Sequence, residues 1–230
     1  MLAAISSWSS SVRTPRASSS ALGPALLAAV AAAYCTGCPS LGLHQGTEPV
    51  AKGKYQLGAS AGGALLYDVP QEQRTPAPSV ELSLRRGVAD DADVQLKLYT
   101  LGVDVGAKYR VLRGDWSMAV LPMLGASRFG DTTTTTRSLY IWGHLPLLVG
   151  RRLSPSAQIN FGPRMLYGYF FPASGGSAQG LSVGGFFNVE MRMSDRVRLV
   201  PEFSLLAALG GDVPVRGWSA YLGPGLLFDF

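Results

Sequence analysis

Apolar residues recur at every second position along most of the chain, and the last stretch, residues 217–230, shows this pattern most plainly. The other parity of that stretch is small or polar, apart from Leu227 and Tyr221. Because the side chains of a β-strand alternate between its two faces, this spacing predicts a strand with one apolar and one mixed face. The apolar parity consists of Trp218, Ala220, Leu222, Pro224, Leu226, Phe228 and Phe230.

The same period of two recurs from residue 54 onward, in segments that are longer than the roughly five or six residues of a typical soluble strand. Tight turns, such as 113–115 and 194–195, alternate with longer loops, such as 68–78 and 128–137. Short periplasmic turns and longer outer loops are typical of membrane-spanning barrels. The segments are 54–67, 79–86, 94–99, 101–112, 116–127, 138–150, 157–171, 181–193, 197–205 and 217–230.

These segments predict an all-β fold, a transmembrane antiparallel up-and-down β-barrel of about ten strands. Eight strands are the alternative, and they follow if neighbouring segments merge or fail to cross. For the closing segment taken alone, an ordinary amphipathic strand in a soluble sheet is the other interpretation.

Composition supports a membrane location without membrane helices. Only 15% of residues are charged and the mean hydropathy is +0.18. After residue 40, no apolar run approaches the roughly 20 residues that a membrane helix requires. In lipid, only helices and closed barrels satisfy every backbone polar group, so a barrel is favoured. The net charge of +5 comes from Lys and Arg spread singly along the segments, which predicts no nucleic-acid partner.

Two short motifs carry a resemblance to a known class of proteins. The ending on Phe230 resembles the closing strand of bacterial outer-membrane β-barrels, and residues 86–90 resemble a periplasmic-turn pattern in small barrels of unassigned role. In pattern, the resemblance covers residues 52–230. It implies a place in the bacterial outer membrane, contact with its lipids, and recognition of Phe230 by the barrel insertion machinery.

The amino-terminal residues 1–38 predict an export signal, since Arg13 and Arg16 precede a short apolar run at 21–34. Two cleavage sites remain open. One follows the small residues 31–33, and the other precedes Cys38, where the sequence resembles a bacterial lipobox and makes Cys38 a possible lipidation site.

Residues 39–52 are rich in Gly, Pro, Thr and Glu and predict a flexible linker, which leaves 53–230 for the transmembrane barrel. Neither cysteine stands in a metal-ligand spacing, so no metal and no cofactor are expected.

The polar parity of the strands carries both signs of charge and would face the lumen. Unpaired burial of charge is costly, so we expect these side chains to pair across strands as a structural network. Bases outnumber acids in this set, so a narrow anion-preferring pore is the alternative. The set is Glu81, Arg85, Lys97, Asp104, Lys108, Arg110, Arg164, Glu190, Arg192, Arg198 and Glu202.

Aromatic residues fall near segment ends, where the interfacial girdles of membrane barrels lie. We therefore predict membrane-interface positions for Trp116, Tyr140, Trp142, Tyr167, Tyr169, Trp218, Phe228 and Phe230.

No complete catalytic constellation is found in the sequence. A barrel hydrolase needs a Ser close to a His base, but the residues two positions from His144 are Trp142 and Pro146. The threonine run 132–136 predicts a solvated hairpin tip, with a binding loop as the alternative. We therefore expect a barrel with a structural, adhesion or surface-binding role that is not an enzyme. The narrow pore is the alternative, and a barrel hydrolase is less favoured.

Overall fold

The computed structural model describes residues 41–68, 72–99, 102–130, 137–173, 175–211 and 217–230. The predicted export signal 1–38, the possible lipidation site Cys38 and the threonine run 132–136 lie outside the described residues.

From Tyr55 onward, most of the described residues belong to β-strands. They are β1 Tyr55–Asp68, β2 Gln73–Ala89, β3 Ala92–Tyr99, β4 Gly102–Leu112, β5 Trp116–Val120, β6 Met123–Gly130, β7 Arg137–Ser154, β8 Ala157–Phe171, β9 Ala178–Arg192, β10 Val197–Gly211 and β11 Gly217–Asp229. The described residues form no helix that is both long enough and apolar enough to cross a membrane.

Strands β5 and β6 are two parts of one crossing, because both pair with β4 on one side and with β7 on the other. Leu121 and Pro122 separate them, and proline has no amide hydrogen for a ladder bond. The neighbouring strands still use the backbone there: Leu121 N donates to Pro146 O at 3.1 Å, and Ala107 N donates to Pro122 O at 3.1 Å. The eleven elements therefore make ten crossings.

The sheet closes on itself, since β1 pairs with β2 on one side and with β11 on the other. The β1–β11 register runs from Gln56 opposite Asp229 to Asp68 opposite Gly217. Every pairing between named strands is antiparallel. Closure removes the unpaired edges that an open sheet would present. The predicted transmembrane barrel of ten strands is confirmed, and the alternative of eight is not.

The outer surface of the barrel is apolar. Every second residue on each strand faces outward, and large apolar side chains on that parity are exposed, with Leu222 at 68%. A soluble protein rarely exposes a continuous apolar surface of this extent, whereas lipid requires one. Other exposed apolar side chains of this outer surface are Val80, Leu82, Leu98, Val105, Leu124, Phe187 and Phe203. The barrel spans a membrane and contacts lipid, and this architecture confirms the predicted bacterial outer-membrane location.

The two ends of the barrel differ in their connections. Tyr55, the first residue of the sheet, and Phe230, just after its last strand, lie at the same end of the barrel as the tight turns 90–91, 113–115 and 193–196. This end is the periplasmic end, because membrane barrels keep their short turns there. The loop predicted at 68–78 is mostly strand, since β2 starts at Gln73.

The segment predicted as a flexible linker lies inside the barrel. Residues 41–50, here called the luminal segment, are almost all buried. Leu41 packs with Ala64 and Leu206 in the outer half of the lumen, and Val50 N bonds to Asp93 near the periplasmic end. The segment therefore runs down the lumen toward the periplasmic mouth and then joins β1. Its burial and hydrogen bonds are those of a packed element, which corrects the prediction of a flexible linker for residues 41–50 of the range 39–52.

Candidate functional site

Basic side chains of the barrel wall hold the luminal segment by its carbonyl oxygens. Lys108, on β4, is fully buried, and its Nζ donates to Gly46 O at 2.9 Å and to Glu48 O at 2.8 Å. Arg164 NH1 donates to Leu41 O at 2.5 Å. Two further donors are Lys97, to Gly42 O, and Arg85, to Glu48 O.

Acidic and amide side chains hold the amide groups of the same segment. Both carboxylate oxygens of Glu202 are used, since they accept from Leu43 N at 2.7 Å and from His44 N at 2.5 Å. Asp93 accepts from Val50 N at 2.9 Å. A buried segment outside any sheet leaves its backbone groups unsatisfied unless side chains supply partners. The wall supplies them: Asn160 Oδ1 accepts from Thr47 N at 3.4 Å, and Asn188 Nδ2 donates to Gln45 O at 3.1 Å.

The side chains of the luminal segment also fit the wall. His44 Nε2 lies 2.8 Å from the Tyr221 hydroxyl, and Thr47 Oγ1 lies 2.5 Å from Ser117 Oγ. Leu43 belongs to a buried apolar cluster with Ala119, Leu121, Met123, Leu148 and Phe186. The lumen is therefore packed by specific contacts along the length of the segment.

Charges buried in the wall are balanced in sign. Among the residues that the structure describes, the buried cations are Arg85, Lys97, Lys108 and Arg164, and the buried acids are Glu81, Asp93, Asp104 and Glu202. Asp93 lies just before the predicted segment 94–99, but in the structure it belongs to β3 and continues the inward parity of Gln95 and Lys97. With Asp93 in the wall, the excess of bases expected from the sequence disappears among these fully buried groups.

The predicted luminal charges lie on the inner face, and several form ion pairs. Arg85 and Asp93 are 2.5 Å apart, and Lys97 lies 3.3 Å from Glu81. These pairs join the neighbouring strands β2 and β3. Arg192 differs from the rest of the set, because it is exposed at the periplasmic mouth.

At the periplasmic mouth the ion pairs are partly open to solvent. Arg110 contacts both Glu48 of the luminal segment and Asp91, the latter at 2.9 Å. Arg198 lies 2.6 Å from Glu190 and 2.8 Å from Asp229. In the turn after β2, the hydrogen bond from Arg113 lowers the pKa of Asp91 below its ordinary value, and a further bond from Arg110 acts in the same direction.

His144 lies in the lumen, where Arg164 Nε donates to its Nε2 at 3.1 Å. Within the described part of the chain, no serine hydroxyl is hydrogen-bonded to His144. The same described residues contain no group of three or more His, Cys, Asp or Glu side chains placed to hold a metal ion.

Two of the predicted interface aromatics point inward instead. Trp142 is only 2% exposed, and Tyr140 stacks on it with ring centroids 5.0 Å apart. The segment 138–150 is apolar on both parities, so its pattern could not decide which face is which. The register of β7 decides it, because Tyr140 and Trp142 share the inward parity of His144.

The remaining predicted aromatics lie on the outer surface or at strand ends. Trp116, Tyr167, Tyr169 and Phe230 are exposed, while Trp218 and Phe228 are half-buried. Arg151 covers the Trp116 ring at 5.3 Å. Recognition of Phe230 by the insertion machinery stays a prediction.

No family model matches the sequence, and no curated protein matches it. Among solved structures, the chain is similar to Ail, the attachment invasion locus protein of Yersinia pestis, with 8% identity over 78% of this chain and 99% of that chain and a TM-score of 0.42. It is also similar to an outer membrane channel from Pseudomonas putida F1, with 8% identity over 80% of this chain and 98% of that chain and a TM-score of 0.49. A third similar structure is Neisserial surface protein A, with 12% identity over 76% of this chain and 97% of that chain and a TM-score of 0.36. These similarities concern the fold alone.

Proposed function

We propose that the chain is a closed, non-catalytic outer-membrane barrel that acts in a structural, adhesion or surface-binding role. The observation that carries this proposal is the occupied lumen. A barrel of this strand number has a narrow interior, and wide aqueous channels appear at larger strand numbers. Here the interior also holds residues 41–50, whose backbone is bonded to the wall.

Electrical conductance of the purified full chain in planar bilayers tests whether the lumen is closed. Because the luminal segment fills the interior and the buried charges of the described wall residues are balanced in sign, we expect no discrete current steps. Stable steps from the unmodified chain would contradict the proposal.

Attachment of bacteria that export the chain tests the surface-binding part of the proposal. We expect these cells to attach to surfaces or to other cells more than cells carrying an empty vector. Equal attachment, with the barrel present in the outer-membrane fraction, would leave only the structural role.

A narrow anion-preferring pore is the second candidate, because four buried cations of the wall donate to the luminal segment. If the segment left the lumen, those groups would face the pore. Thr47→Cys with Ser117→Cys, in a chain whose native cysteines are replaced by serine, would lock the segment by a disulfide, since the two hydroxyls are 2.5 Å apart. Anion-selective steps that appear only after reduction would favour the pore.

A barrel hydrolase is the least supported candidate. The hydrogen bond to His144 comes from a guanidinium and not from a nucleophilic hydroxyl. Ester hydrolysis by the purified chain that is lost in His144→Gln would favour it.

A further inference from the structure

A cavity of about 300 Å³ opens at the periplasmic mouth, between the end of the luminal segment and the β7–β8 turn. Three arginines, Arg152, Arg192 and Arg198, line it together with two glutamates, Glu48 and Glu190. Its volume is at the lower end of the range of about 300–1,000 Å³ found for ligand pockets, so it suits a compact ligand.

The two glutamates of the cavity are already engaged by cations. Glu190 lies 2.6 Å from Arg198, which also contacts Asp229 at 2.8 Å. Glu48 is bonded to Arg110 and reaches Arg152 only at 3.5 Å. The acids therefore neutralise Arg198 and Arg110 first, and they leave little negative charge for the other arginines.

Two guanidinium groups in the cavity keep unused donors. Arg192 is exposed, and among the described residues its side chain makes no hydrogen bond or ion pair. The side chain of Arg152 is 56% exposed, and Glu48 is its ion-pair partner within the same described part of the chain. A guanidinium carries five N–H donors in a fixed fork that matches carboxylate and phosphate groups.

The cavity wall adds neutral polar groups next to these cations. The hydroxyls of Ser154 and Ser156 lie 3.2 Å apart in the β7–β8 turn, and both can reorient toward a ligand. Arg192 is tied to the same turn, because its backbone N donates to Ser156 O at 2.8 Å. The turn and the end of β9 therefore hold the polar groups on one side of the opening.

We propose that this cavity binds a compact anion, either a phosphate-type group or a pair of carboxylates, through Arg152 and Arg192. Because Arg152 also contacts Glu48, the anion competes with Glu48 for the same guanidinium. The site therefore lies where a periplasmic anion can loosen the periplasmic end of the luminal segment. This inference is independent of the proposed function, since an anion can bind whether or not the barrel conducts.

Calorimetric titration of the full chain in lipid nanodiscs tests the site, with pyrophosphate and succinate as separate probes and sucrose as a neutral control. We expect saturable one-site binding of at least one anion and none of sucrose. Arg192→Gln removes a charge-assisted bidentate partner, so it should weaken binding about tenfold or more. Arg196→Gln is the matched control, because Arg196 is an exposed arginine of the neighbouring turn that does not line the cavity.

Unchanged affinity in Arg196→Gln together with loss in Arg192→Gln supports the site, and the probe that binds identifies its chemistry. Equal weakening by both variants would mean diffuse attraction to the basic mouth and would overturn the proposal. Absence of saturable binding of either anion would overturn it as well. Arg192 and Arg196 are both exposed, so neither Arg192→Gln nor Arg196→Gln is expected to prevent folding.

Discussion

The centre of the lumen and its periplasmic mouth hold the luminal segment with the same kinds of side chain in different surroundings. At the centre, Glu202 is 1% exposed and Lys108 is fully buried, and both bond to the backbone of the segment. At the mouth, Glu48 is 31% exposed and contacts Arg110 and Arg152 by its side chain.

This contrast indicates which part of the lumen holds the luminal segment in place. Leaving a buried polar group without its partner costs about 1–3 kcal/mol, and more when a charge is involved, whereas an exposed ion pair contributes about 0–1 kcal/mol. The centre therefore anchors the segment, and the mouth is the part that a ligand or a change of conditions can alter at low cost.

The largest effect is expected at the centre, from Glu202→Ala. Loss of the carboxylate leaves the amides of Leu43 and His44 unbonded in the lumen and removes a negative charge near Arg164. We expect the free energy of unfolding to fall by about 3–5 kcal/mol. Urea titration of the barrel in lipid vesicles, followed by heat-modifiable gel mobility, measures it.

Glu202→Gln is the control for this change, because an amide oxygen retains one acceptor with little change of shape. We expect a smaller loss than for Glu202→Ala. Equal stability of Glu202→Ala and the parent chain would mean that the centre does not anchor the segment, and the contrast with the mouth would fail.

An intermediate effect is expected from Gly46→Val, because Gly46 lies between the centre of the lumen and its periplasmic mouth. A Cβ at Gly46 would lie 2.6 Å from Glu190 Oε2 and 3.0 Å from the Asn160 amide, so the segment must shift. Overpacking of this kind costs about 1–3 kcal/mol. We expect that loss in urea titration, and we expect current steps in planar bilayers that the parent chain lacks.

Gly63→Val is the matched control, because a Cβ at Gly63 meets no atom within 4 Å. It should leave both stability and conductance close to those of the parent chain. If both variants behave alike, then the space around Gly46 does not hold the segment in place.

The outer face of the barrel could be predicted from the sequence, and the inner face only in part. Outward side chains meet a single environment, lipid, so selection of apolar residues such as Leu82 and Leu222 gives a strict period of two. Inward side chains contact both other side chains of the barrel wall and the luminal segment. Either of these can supply the partner of a given charge. Residues 41–50 have no strand period of their own, so their pattern resembled a linker.

Two local errors have different origins. Trp142 was predicted at the interface because it falls near a segment end, and its strand has no polar parity that would reveal which face points inward. Asp93 was left out of the predicted luminal charges because the predicted segment begins at residue 94. In the structure it sits at the start of β3, where it accepts from Arg85 of the neighbouring strand β2 and from Val50 N of the luminal segment.

The smallest effect is expected outside the lumen, at Asp91, and it depends on pH. The hydrogen bond from Arg113 holds the pKa of Asp91 below the ordinary carboxyl value of 3.8. A carboxyl whose pKa is lower in the folded chain stabilises the fold above its unfolded pKa and loses that contribution as pH falls through the folded pKa. We therefore expect Asp91→Asn to be slightly less stable than the parent chain near neutral pH. The difference should close below the folded pKa.

Urea midpoints in vesicles at neutral pH and at several steps below pH 4 measure this difference, with Asp195→Asn as the control in a neighbouring exposed turn. The control has no ion pair among the described residues, so its midpoint should follow the parent chain at each pH. A gap between Asp91→Asn and the parent chain that widens as pH falls would contradict the sign of the effect. A gap as large as that for Glu202→Ala would show instead that the turn anchors the barrel as firmly as the centre of the lumen does.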